Sequence, residues 1–587
     1  MSNAILLEVV NNALRSVAEQ MSATMVRSAY STIVKEMMDC SSAIFDGRGR
    51  LLAEGANVPI HLNCLGPCLN TVLTKYFSRE QMNPGDLILT NHPYAGGESL
   101  GSHHTKDLIM IAPVFSDDEK ELIAFSVTML HHKDVGGVWT GDSWTVEIWQ
   151  EGFLMEPVKL YDKGVRNEAL WNVILNNTRN PRDMKGDLMA QISACNIGIK
   201  GFKQIVNKYG LDVVNSVIDD LLDYSERLTR QEILKIKDGR YEHEEKILDD
   251  GFQGGPYTLK LTVIIEGDSV TFDYTGTDKQ IRGPINSPLS ATISATYYTM
   301  RCITNAHIPT NQGCHRPIKV IAPEGTLVNC TMPIGCFQRM VTDHILVDLI
   351  MGAMAQAIPD KVMADSCGTN YDFCSGTNLE THPRGGEINH RQYWGEIVPG
   401  GLGARPHSDG VTIMSCHVTN CPIPPLEAQE IEAPMLFIER AILPDSEGAG
   451  KYRSGFAQRR KWKLVGHDGI FSHVSQKSKI PPQGLFGGLP GETSKWIINE
   501  GTDKEQVLDY AMGDVIFLNY GDTITCITAS GGGFGDPFER DPMKVREDVE
   551  MGLVSIENAK VKYGVAIDPL TFELDTAETE RIRMSVK

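Results

Sequence analysis

The spacing of hydrophobic residues divides the first half of the chain into helical and β-rich segments. Residues 1–37 and 165–237 repeat apolar positions with the spacing of amphipathic helices. Residues 39–54, "DCSSAIFDGRGRLLAE", combine alternating and β-branched positions around a glycine-containing turn, which predicts a β-hairpin. A second hairpin is predicted from Asp107, where the polar turn "SDDEKE" joins the apolar stretches "DLIMIAPVF" and "LIAFSVTML".

The second half of the chain has a stronger β pattern. From about residue 239 to about residue 527, short apolar stretches alternate with turns rich in Gly and Pro. Helical patterns interrupt this region near residues 287–305 and 340–357, and residues 541–564 predict a short two-helix element. The sequence therefore predicts an α+β fold, with a helical and mixed N-terminal part followed by a β-rich region.

The change from a helical to a β-rich pattern along the chain predicts three segments. We expect an N-terminal mixed α/β region over residues 1–240, a β-rich domain with helical insertions over residues 241–529, and a C-terminal Gly-rich turn with helices over residues 530–587. The length of 587 residues supports more than one core, because a single hydrophobic core stops growing at ~250–300 residues.

Composition and charge indicate the cellular compartment and limit the classes of partner that fit the sequence. No apolar stretch approaches the ~18 residues that a membrane-spanning helix needs, and the first residues lack the pattern of a secretory signal. The 13 cysteines are scattered without a CxxC pair, which is typical of reduced thiols in a cytoplasmic protein. The formal charge of −20 argues against nucleic acid or an anionic membrane as partners, because both attract basic surfaces. We therefore expect a small molecule or another protein.

Metal-capable side chains cluster at the start of the second hairpin, in "GSHHTKDLIM" (residues 101–110). If the turn is centred within "SDDEKE", antiparallel pairing places Asp107 opposite Leu130 or His131. Directly opposed residues have Cβ atoms ~4.5–5.5 Å apart, so Asp107 and His131 could share a metal ion. His104 precedes Asp107 in the loop and could fold over the same position. Two imidazoles and a carboxylate suit Zn²⁺ or Mn²⁺ with open positions for water.

The alternative is a surface loop whose histidines cap backbone groups and bind nothing, since HxxD is a short and common pattern. A shift of one residue in the register would also exchange the faces of the strand. His103, His132 and Asp134 therefore stay as further candidates for the ligand positions.

Several longer motifs follow one another between about Ser31 and about Gly564. In chain order they are "NHPYAGGESLGSHHTKDLIMIAPVF", "HHKDVGG", "EIWQEGFLMEPVKLY", "DYTGTDKQIRGPIN", "GCHRPIKVIAPEG", "GGLGARPHSDG", "PPQGLFGGLPGE" and "SGGGFGDPFERDP". Together they resemble the hydantoinase B/5-oxoprolinase family. A resemblance that keeps this order over most of the chain is far more specific than any single motif.

The resemblance implies a subunit or domain of an ATP-dependent enzyme that opens cyclic amides, such as hydantoins, 5-oxoproline and larger lactams. Acetone and acetophenone carboxylases use similar subunits. The family also implies a partner of the hydantoinase A type, with an actin-like ATPase fold, which would bind ATP and Mg²⁺.

The resemblance further implies a set of metal ligands. In such enzymes the metal is held by an Asp in a segment resembling "KEMMDCSSAIFD", by the His and Asp of an HxxD motif, and by a His before an Asp–aliphatic–Gly–Gly turn. Carried onto this sequence, these ligands are Asp39, His104, Asp107 and His131. Asp39 comes from the resemblance alone. The doubled histidine departs from the usual Gly-Gly-Thr-His approach, which keeps His103 as an alternative to His104.

The glycine-rich run "SGGGFGDP" (residues 530–537) is similar to a phosphate loop but lacks the Gly-Lys-Ser/Thr ending and the strand and helix on either side. We predict a tight structural turn there. Without an ATP cradle in the chain, ATP-dependent chemistry requires a separate subunit, in agreement with the resemblance.

Other residues have a chemical and a structural interpretation. Glu147 follows the metal strands and could act as general base for a water molecule, or form an ordinary salt bridge. Cys314 and Cys367 could be nucleophiles, although buried thiols are the simpler interpretation. Three loop residues could hold an anionic intermediate or form ion pairs between loops; they are Arg316, Arg405 and His407.

The sequence therefore predicts the metal-binding subunit of an ATP-dependent cyclic amidohydrolase in a hetero-oligomer, with the metal-binding hairpin in its N-terminal part. The metal is expected to be Zn²⁺, with Mn²⁺ as the alternative. A first alternative function is a subunit of an ATP-dependent ketone carboxylase, acting on a ketone. A second is a structural scaffold subunit whose metal has no catalytic role.

Overall fold

The computed structural model contains mixed helices and sheets, as the sequence predicts, and it divides into two compact units. The first unit contains residues 1–244, 258–350 and 418–424, and the second contains residues 245–257, 351–417 and 425–587. Residues 258–350, assigned from sequence to the β-rich middle region, thus belong to the first unit. The described residues are 4–138, 145–252, 254–376, 393–433, 435–465, 468–508, 512 and 516–586.

The helices begin and end close to the positions that the hydrophobic pattern predicts. A π-helical turn, Val72–Tyr76, continues α3. The α-helices are α1 (Ala4–Ser28), α2 (Thr32–Lys35), α3 (Pro59–Thr71), α4 (Glu168–Asn176), α5 (Pro181–Tyr209), α6 (Leu211–Ile233), α7 (Leu289–Ile303), α8 (Gln312–His315), α9 (Met340–Met354), α10 (Leu426–Glu432), α11 (Pro542–Glu550), α12 (Ile556–Tyr563) and α13 (Thr576–Val586).

A seven-stranded antiparallel sheet forms the centre of the first unit, in the order β2-β1-β5-β4-β3-β6-β7. Both predicted hairpins belong to it. Its strands are β1 (Cys40–Asp46), β2 (Leu51–Glu54), β3 (Leu87–Thr90), β4 (Asp107–Phe115), β5 (Leu122–His131), β6 (Val158–Asp162) and β7 (Val165–Arg166).

Alternation along the central strands sends side chains to two different helical layers. On β4, Leu108 and Met110 pack in a cluster with α4 and α5, whereas Ile109 and Ile111 pack in a cluster with α3. Because β4 and β5 are buried on both faces, their sequences are nearly continuous apolar stretches. A polar residue at the end of such a strand is therefore assigned to one layer by its position alone.

A second sheet of the first unit has the order β11-β10-β9-β8. Its strands are β8 (Gly239–Ile247), β9 (Tyr257–Glu266), β10 (Ser269–Asp273) and β11 (Ile318–Ile321). β10 pairs in parallel with β11 and antiparallel with β9. The parallel pair is possible because α7 and α8 lie in the long crossover between its two strands.

Two antiparallel sheets in the second unit share one apolar core, which includes Trp462, Phe471 and Trp496. Their orders are β13-β12-β16-β19 and β14-β15-β20-β17-β18. Their strands are β12 (Asn370–Gly376), β13 (Tyr393–Ile397), β14 (Met435–Ile442), β15 (Gln458–Leu464), β16 (Gly469–Ser475), β17 (Lys495–Ile498), β18 (Gln506–Leu508), β19 (Ile516–Leu518) and β20 (Thr523–Ile527).

The glycine-rich run 530–537 is a site of close backbone packing. A Cβ atom on Gly532 would lie 1.9 Å from the carbonyl oxygen of Gln483, so only glycine fits. The amides of Gly532 and Gly533 donate to the carbonyl oxygens of Asp365 and Leu489. These amides are already used within the protein, which supports the predicted structural turn over a phosphate loop.

Among the helices in the described part of the chain, none combines the length and the apolar character that crossing a bilayer requires.

Candidate metal centre

Strand register brings the first two candidate ligands together. β4 and β5 pair so that Asp107 lies directly opposite His131, which is one of the two partners that the turn position predicts. Both residues occupy the ends of their strands. Asp107 has the same parity as Ile109 and Ile111, and His131 has the same parity as Met129, so these positions belong to the face that packs against α3.

The third strand of this group places Asp39 beside them. β1 pairs with β5, with Cys40 opposite Leu130, and the amide of His131 donates to the carbonyl oxygen of Asp39 at 3.2 Å. Asp39 therefore extends β1 by one residue at the same edge of the sheet. Asp39, His131 and Asp107 occupy equivalent positions on three adjacent strands.

His104 comes from the loop that enters β4, and that loop is buried. The hydroxyl of Ser102 donates to the carbonyl oxygens of His104 and Asp107, at 2.7 and 2.8 Å, which folds the loop back over the strand end. A Cβ atom on Gly101 would lie 2.0 Å from the carbonyl oxygen of His92, so the loop needs glycine there. His104 is 2% exposed and Asp107 is fully buried. The surface-loop alternative is therefore wrong about where these histidines lie.

Three of the predicted ligands form a compact group. One ligand atom from each of His104, Asp107 and His131 lies within 4.8 Å of the others. His104 Nε2 is 3.0 Å from Asp107 Oδ2, and the His104 and His131 rings are 4.9 Å apart. Asp39 is joined to the group through His61 of α3, whose Nε2 lies 3.6 Å from Asp39 Oδ1 and 3.7 Å from Asp107 Oδ1.

Sequence reasoning missed His61. It lies in the first turn of α3, behind Pro59, and it is 2% exposed. Its Nδ1 is 3.5 Å from the hydroxyl of Ser41, which has the same parity as Asp39 on the extended β1 strand. A lone histidine in a helix carries no local signal of a site, and only the packing of α3 on the sheet brings it to the carboxylates.

Sequence reasoning also missed the segment that precedes α9. Arg339 Nη2 lies 3.0 Å from Asp107 Oδ2, and the Phe337 ring meets the His104 ring edge-on at 5.0 Å. Lys106 places its Nζ 4.5 Å from the centre of the Phe337 ring. Residues from over 200 positions later in the chain thus cover the ligands and add a cation beside Asp107.

A buried carboxylate holds this segment in place. Glu151 is fully buried, and its Oε1 accepts the amides of Cys336 and Phe337 at 2.6 and 2.9 Å and the hydroxyl of Thr145 at 3.1 Å. Glu147, the predicted general base, is the N-cap residue of the short 3₁₀-helix Ile148–Glu151, and its amide donates to Oε1 of Gln150 at 3.3 Å. Its catalytic role stays a prediction.

The carboxyl groups of Asp39 and Asp107 differ in pKa. Burial, together with the charge of Asp107, raises the pKa of Asp39 to about 8, although Arg339 opposes the shift. Burial also acts to raise the pKa of Asp107, but His104, His61 and Arg339 together hold that pKa well below its usual range. Asp107 is therefore the permanent anion of the group, and Asp39 is the carboxyl that can take a proton at neutral pH.

The imidazoles at the site are neutral. Burial lowers the pKa of His104 and of His61 to about 4, with Asp107 opposing the shift in both cases. Burial and then the neighbouring His104 hold the pKa of His131 well below its ordinary value. Neutral imidazole is the form that donates a lone pair to a metal.

The two alternative histidines meet different surroundings. His132 Nε2 bonds to the Oε1 of Gln191 at 3.1 Å, and Gln191 is on α5, in the layer on the opposite face of the sheet from α3. His103 is fully buried, with its ring 6.1 Å from that of His61. Of these two, only His103 lies on the side of the candidate ligands.

The remaining candidates have structural surroundings. Burial raises the pKa of Cys314 to about 11, so its thiol stays protonated at neutral pH. Cys367 is buried and donates to the carbonyl oxygen of Gly368. Arg316 forms ion pairs with Asp223 and Glu226, both at 2.9 Å. Arg405 and His407 lie in the second unit, whereas the candidate ligands lie in the first.

The donor set fits a divalent transition metal. Several buried polar atoms at the site have no hydrogen-bond partner among the residues that the structure describes, although buried polar groups are ordinarily satisfied. Neutral imidazoles with carboxylates are the ligands that zinc and manganese accept. These orphaned atoms are Oδ1 of Asp39, Oδ1 of Asp107, and Nδ1 of His104 and of His131.

The sequence model of the Hydantoinase B/oxoprolinase family matches residues 3–537, and the chain belongs to this family. A chain of Pseudomonas sp. (strain NS671), named as one of the subunits of a D-/L-hydantoinase, is 33% identical over 99% of this chain and 98% of its own length.

Two solved structures have the same fold. The crystal structure of ATP-dependent caprolactamase from Pseudomonas jessenii superposes with a TM-score of 0.87 at 27% identity, covering 100% of both chains. A nucleotide-free structure of acetone carboxylase superposes with a TM-score of 0.88 at 17% identity, covering 99% of this chain and 82% of the other. At that lower identity, the second likeness concerns the fold alone.

Proposed function

We propose that this chain is the metal-binding subunit of an ATP-dependent cyclic amidohydrolase. It opens a hydantoin, oxoproline or lactam ring together with a separate ATPase subunit of the hydantoinase A type, in a hetero-oligomer. The metal is Zn²⁺, with Mn²⁺ as the alternative, and the ligands are Asp39, His104, Asp107 and His131. We place the reaction in the cytoplasm, in keeping with the free thiols of the described cysteines.

The observation that carries this proposal is the convergence of neutral imidazoles and carboxylates at one buried sheet edge. His104, Asp107 and His131 offer ligand atoms within 4.8 Å of one another, and buried atoms of all three have no hydrogen-bond partner in the described part of the chain. Leaving such groups unpaired is costly, so a bound cation explains an arrangement that no internal hydrogen bond satisfies.

The relatives support the substrate class. The family is described as Hydantoinase B/oxoprolinase, and the caprolactamase with the same fold is described as ATP-dependent. Hydantoins, oxoproline and caprolactam all contain a cyclic amide. Five amides of the glycine-rich run 530–537 donate to backbone carbonyl oxygens of the protein, which supports placing ATP on another subunit.

The residues of this chain prepare the site for hydrolysis in separate ways. Arg339 orients the carboxylate of Asp107, and Phe337 packs on His104 and excludes water from one side. His61 places a neutral imidazole between the oxygens of Asp39 and Asp107. A metal at these ligands would supply positive charge that polarises a carbonyl group and acidifies water. Glu147 stays our prediction for the general base.

Metal content tests the proposal directly. We expect about one Zn²⁺ or Mn²⁺ per purified chain, and about a tenth of that or less in His104→Ala and in Asp107→Ala, because each change removes one of few ligands. His307→Ala and Asp503→Ala are matched controls, since both residues are exposed and lie away from the site in sequence. Elemental analysis of the five proteins measures the outcome, and wild-type protein without metal contradicts the proposal.

The two alternatives make different predictions. A scaffold subunit, in which the metal only holds the hairpin, would keep ring-opening activity in a metal-free protein that stays folded. A ketone carboxylase subunit, with the same fold as acetone carboxylase, would incorporate labelled bicarbonate into a product when its partner and ATP are present.

A further inference from the structure

A second group of orphaned polar atoms lies in the first unit, outside the set of candidate metal ligands. Glu54 ends β2, Arg301 lies in the last turn of α7, and His315 ends α8. Oε2 of Glu54, Nη1 of Arg301 and Nε2 of His315 are buried, and none of the three has a hydrogen-bond partner among the described residues. Buried polar atoms are ordinarily paired, so this group indicates that something outside the chain completes it.

These three side chains form one cluster. The rings of Tyr297 and His315 stack with their centres 4.2 Å apart, which places α8 against α7. Burial is the main influence on the pKa of both Glu54 and His315, and the charge of Arg301 is the second influence on each. Besides burial and a backbone hydrogen bond, Arg301 and Glu54 both act on the pKa of Cys314, the neighbour of His315. Since the interaction of charges weakens with distance, the three groups lie close together.

At neutral pH the cluster carries one positive charge. Burial raises the pKa of Glu54 to about 8, against the lowering effect of Arg301, so this carboxyl holds a proton at pH 7. Burial, with the charge of Arg301, lowers the pKa of His315 to about 3, so this imidazole is neutral. A guanidinium stays charged throughout this range. The cluster therefore offers a cation together with an O–H and an imidazole N–H.

Arg301 has a structural role that uses only one of its terminal nitrogens. Its Nη2 donates to the carbonyl oxygens of Ala306 and Ile308, at 3.3 and 2.8 Å, which holds the loop after α7. Its Nη1 is the orphaned atom, and within the described residues no carboxylate forms an ion pair with Arg301. Holding the loop does not require this second nitrogen to be buried. Nη1 is therefore the side of the guanidinium that is left for a ligand.

A metal ion does not fit this cluster. In the described part of the chain, one group of three potential ligands has its atoms within 4.8 Å of one another, and that group is His104, Asp107 and His131. Glu54 and His315, with the neighbouring thiol of Cys314, do not meet that condition. The charge of Arg301 also disfavours a second cation. The ligand that fits is an anion.

A monoanion with a small polar head matches the cluster better than phosphate does. Because Nη2 is already bonded, the guanidinium does not offer the two-pronged fork that suits a phosphate. One positive charge balances one negative charge, and a dianion would bring excess charge against Glu54. A carboxylate can accept from Nη1 of Arg301, from Nε2 of His315 and from the protonated carboxyl of Glu54.

We propose that Glu54, Arg301 and His315 form a binding site for a small monocarboxylate, separate from the candidate metal centre. Arg301 supplies the charge that holds the anion, and His315 supplies a hydrogen-bond donor that its stack on Tyr297 keeps in place. Glu54 supplies a proton that the two carboxyl groups share. This site goes beyond the proposed function, which assigns no role to any of these residues.

Acetate is the first probe. We expect it to bind the full-length chain in isothermal titration calorimetry at pH 7, and Arg301→Gln to weaken that binding by about tenfold or more, the loss of one charge-assisted contact. His315→Phe should weaken it by about fivefold, because a phenyl ring keeps the stack on Tyr297 but donates no hydrogen bond. Arg27→Gln is the matched control, since Arg27 is an exposed arginine in the last turn of α1 and should leave acetate affinity unchanged.

The pH dependence of acetate binding tests the role of Glu54. Its proton is present below a pKa of about 8 and is lost as the pH rises through it, so wild-type affinity should be about tenfold lower at pH 9 than at pH 7. The groups that act on Glu54 do not titrate in this range, because Arg301 stays charged and the pKa of Cys314 is about 11. Glu54→Gln keeps a donor that does not ionise, so it should bind acetate equally at both pH values.

Three results would overturn the site. They are a wild type that binds no acetate, acetate affinity that stays unchanged in both Arg301→Gln and His315→Phe, and inorganic phosphate that binds this cluster more tightly than acetate. If Arg301→Gln fails to fold because the loop after α7 is released, His315→Phe decides, since Phe retains the ring that packs on Tyr297.

Ring opening of a cyclic amide releases a carboxylate, so the product of the proposed reaction is one source of such a ligand. In the complex with its ATPase partner, added ring-opened product should then inhibit turnover about tenfold less strongly in Arg301→Gln than in the wild type. Equal inhibition, with acetate binding lost in Arg301→Gln, would keep the site and assign it to another carboxylic acid. This comparison depends on the proposed function, whereas acetate binding by the chain alone does not.

Discussion

His131 and His132 are neighbours in the chain, yet their rings meet different layers of the protein. The first has the parity of the strand positions that face α3 and lies with His104 and Asp107. The second bonds to Gln191 on α5. One step along a strand exchanges the face of the sheet, so a single residue decides between a ligand and a packing contact.

Asp39 should lose a proton when a metal ion binds. Because its pKa is raised to about 8 while the imidazoles are neutral, it is the protonated ligand at neutral pH, and metal must displace that proton. Zn²⁺ binding should therefore release about one proton per chain at pH 7 and about a tenth of a proton at pH 9, above the pKa. Calorimetry of Zn²⁺ binding in buffers of different ionisation enthalpy measures this release.

Asp39→Asn is the control for that measurement. The amide cannot ionise, so Zn²⁺ should bind more weakly and release almost no proton at either pH. A wild type that releases the same number of protons at pH 7 and pH 9 would show that another group supplies them.

Among the secondary-structure elements, the two predicted hairpins are confirmed. The sequence did not predict which other segments pack over the site. β4 begins at Asp107 and β5 ends at His131, as their apolar stretches indicate. Nothing in the local sequence of α3 indicates that His61 meets Asp39 and Asp107. The segment carrying Phe337 and Arg339 is fixed by Glu151, which is far away in sequence.

Glu151 should stabilise the fold through its hydrogen bonds to the segment before α9. Replacing it in Glu151→Leu leaves two buried amides without an acceptor, so the free energy of unfolding should fall by about 3 kcal/mol. Denaturant unfolding measures this loss, and the segment before α9 should exchange its amide hydrogens faster. An unchanged midpoint would mean that the segment is held by other contacts.

Glu147 is the matched comparison, because it caps the same short helix at its other end. Glu147→Gln should change the unfolding free energy by no more than about 1 kcal/mol, the size of a helix cap. Because Glu147 is the predicted general base, Glu147→Gln should also lower turnover by about 100-fold, with the metal content unchanged. Wild-type turnover in this variant would leave Glu147 with its capping role alone.

For the whole molecule, we expect the chemistry to be divided between two chains. All the candidate ligands lie in the first unit, and five amides of the glycine-rich run in the second unit donate to backbone carbonyl oxygens. We therefore expect the chain alone to hydrolyse no ATP above the buffer rate. With a hydantoinase A-type partner, ATP hydrolysis and ring opening of a cyclic amide should appear together, as measured by phosphate release and product chromatography. ATP hydrolysis by the isolated chain would contradict this division.

The helices and strands could be predicted from the sequence alone, because the spacing of apolar residues along a helix or strand depends only on neighbouring residues. The sequence also limited the residue opposite Asp107 to Leu130 or His131, because a short turn restricts the register of a hairpin, and the structure has His131 there. Asp39 needed the family resemblance. Only the tertiary structure decided that His61, Arg339 and Phe337 join the site, since contacts between residues distant in the chain depend on how whole elements pack, and no local pattern records that packing.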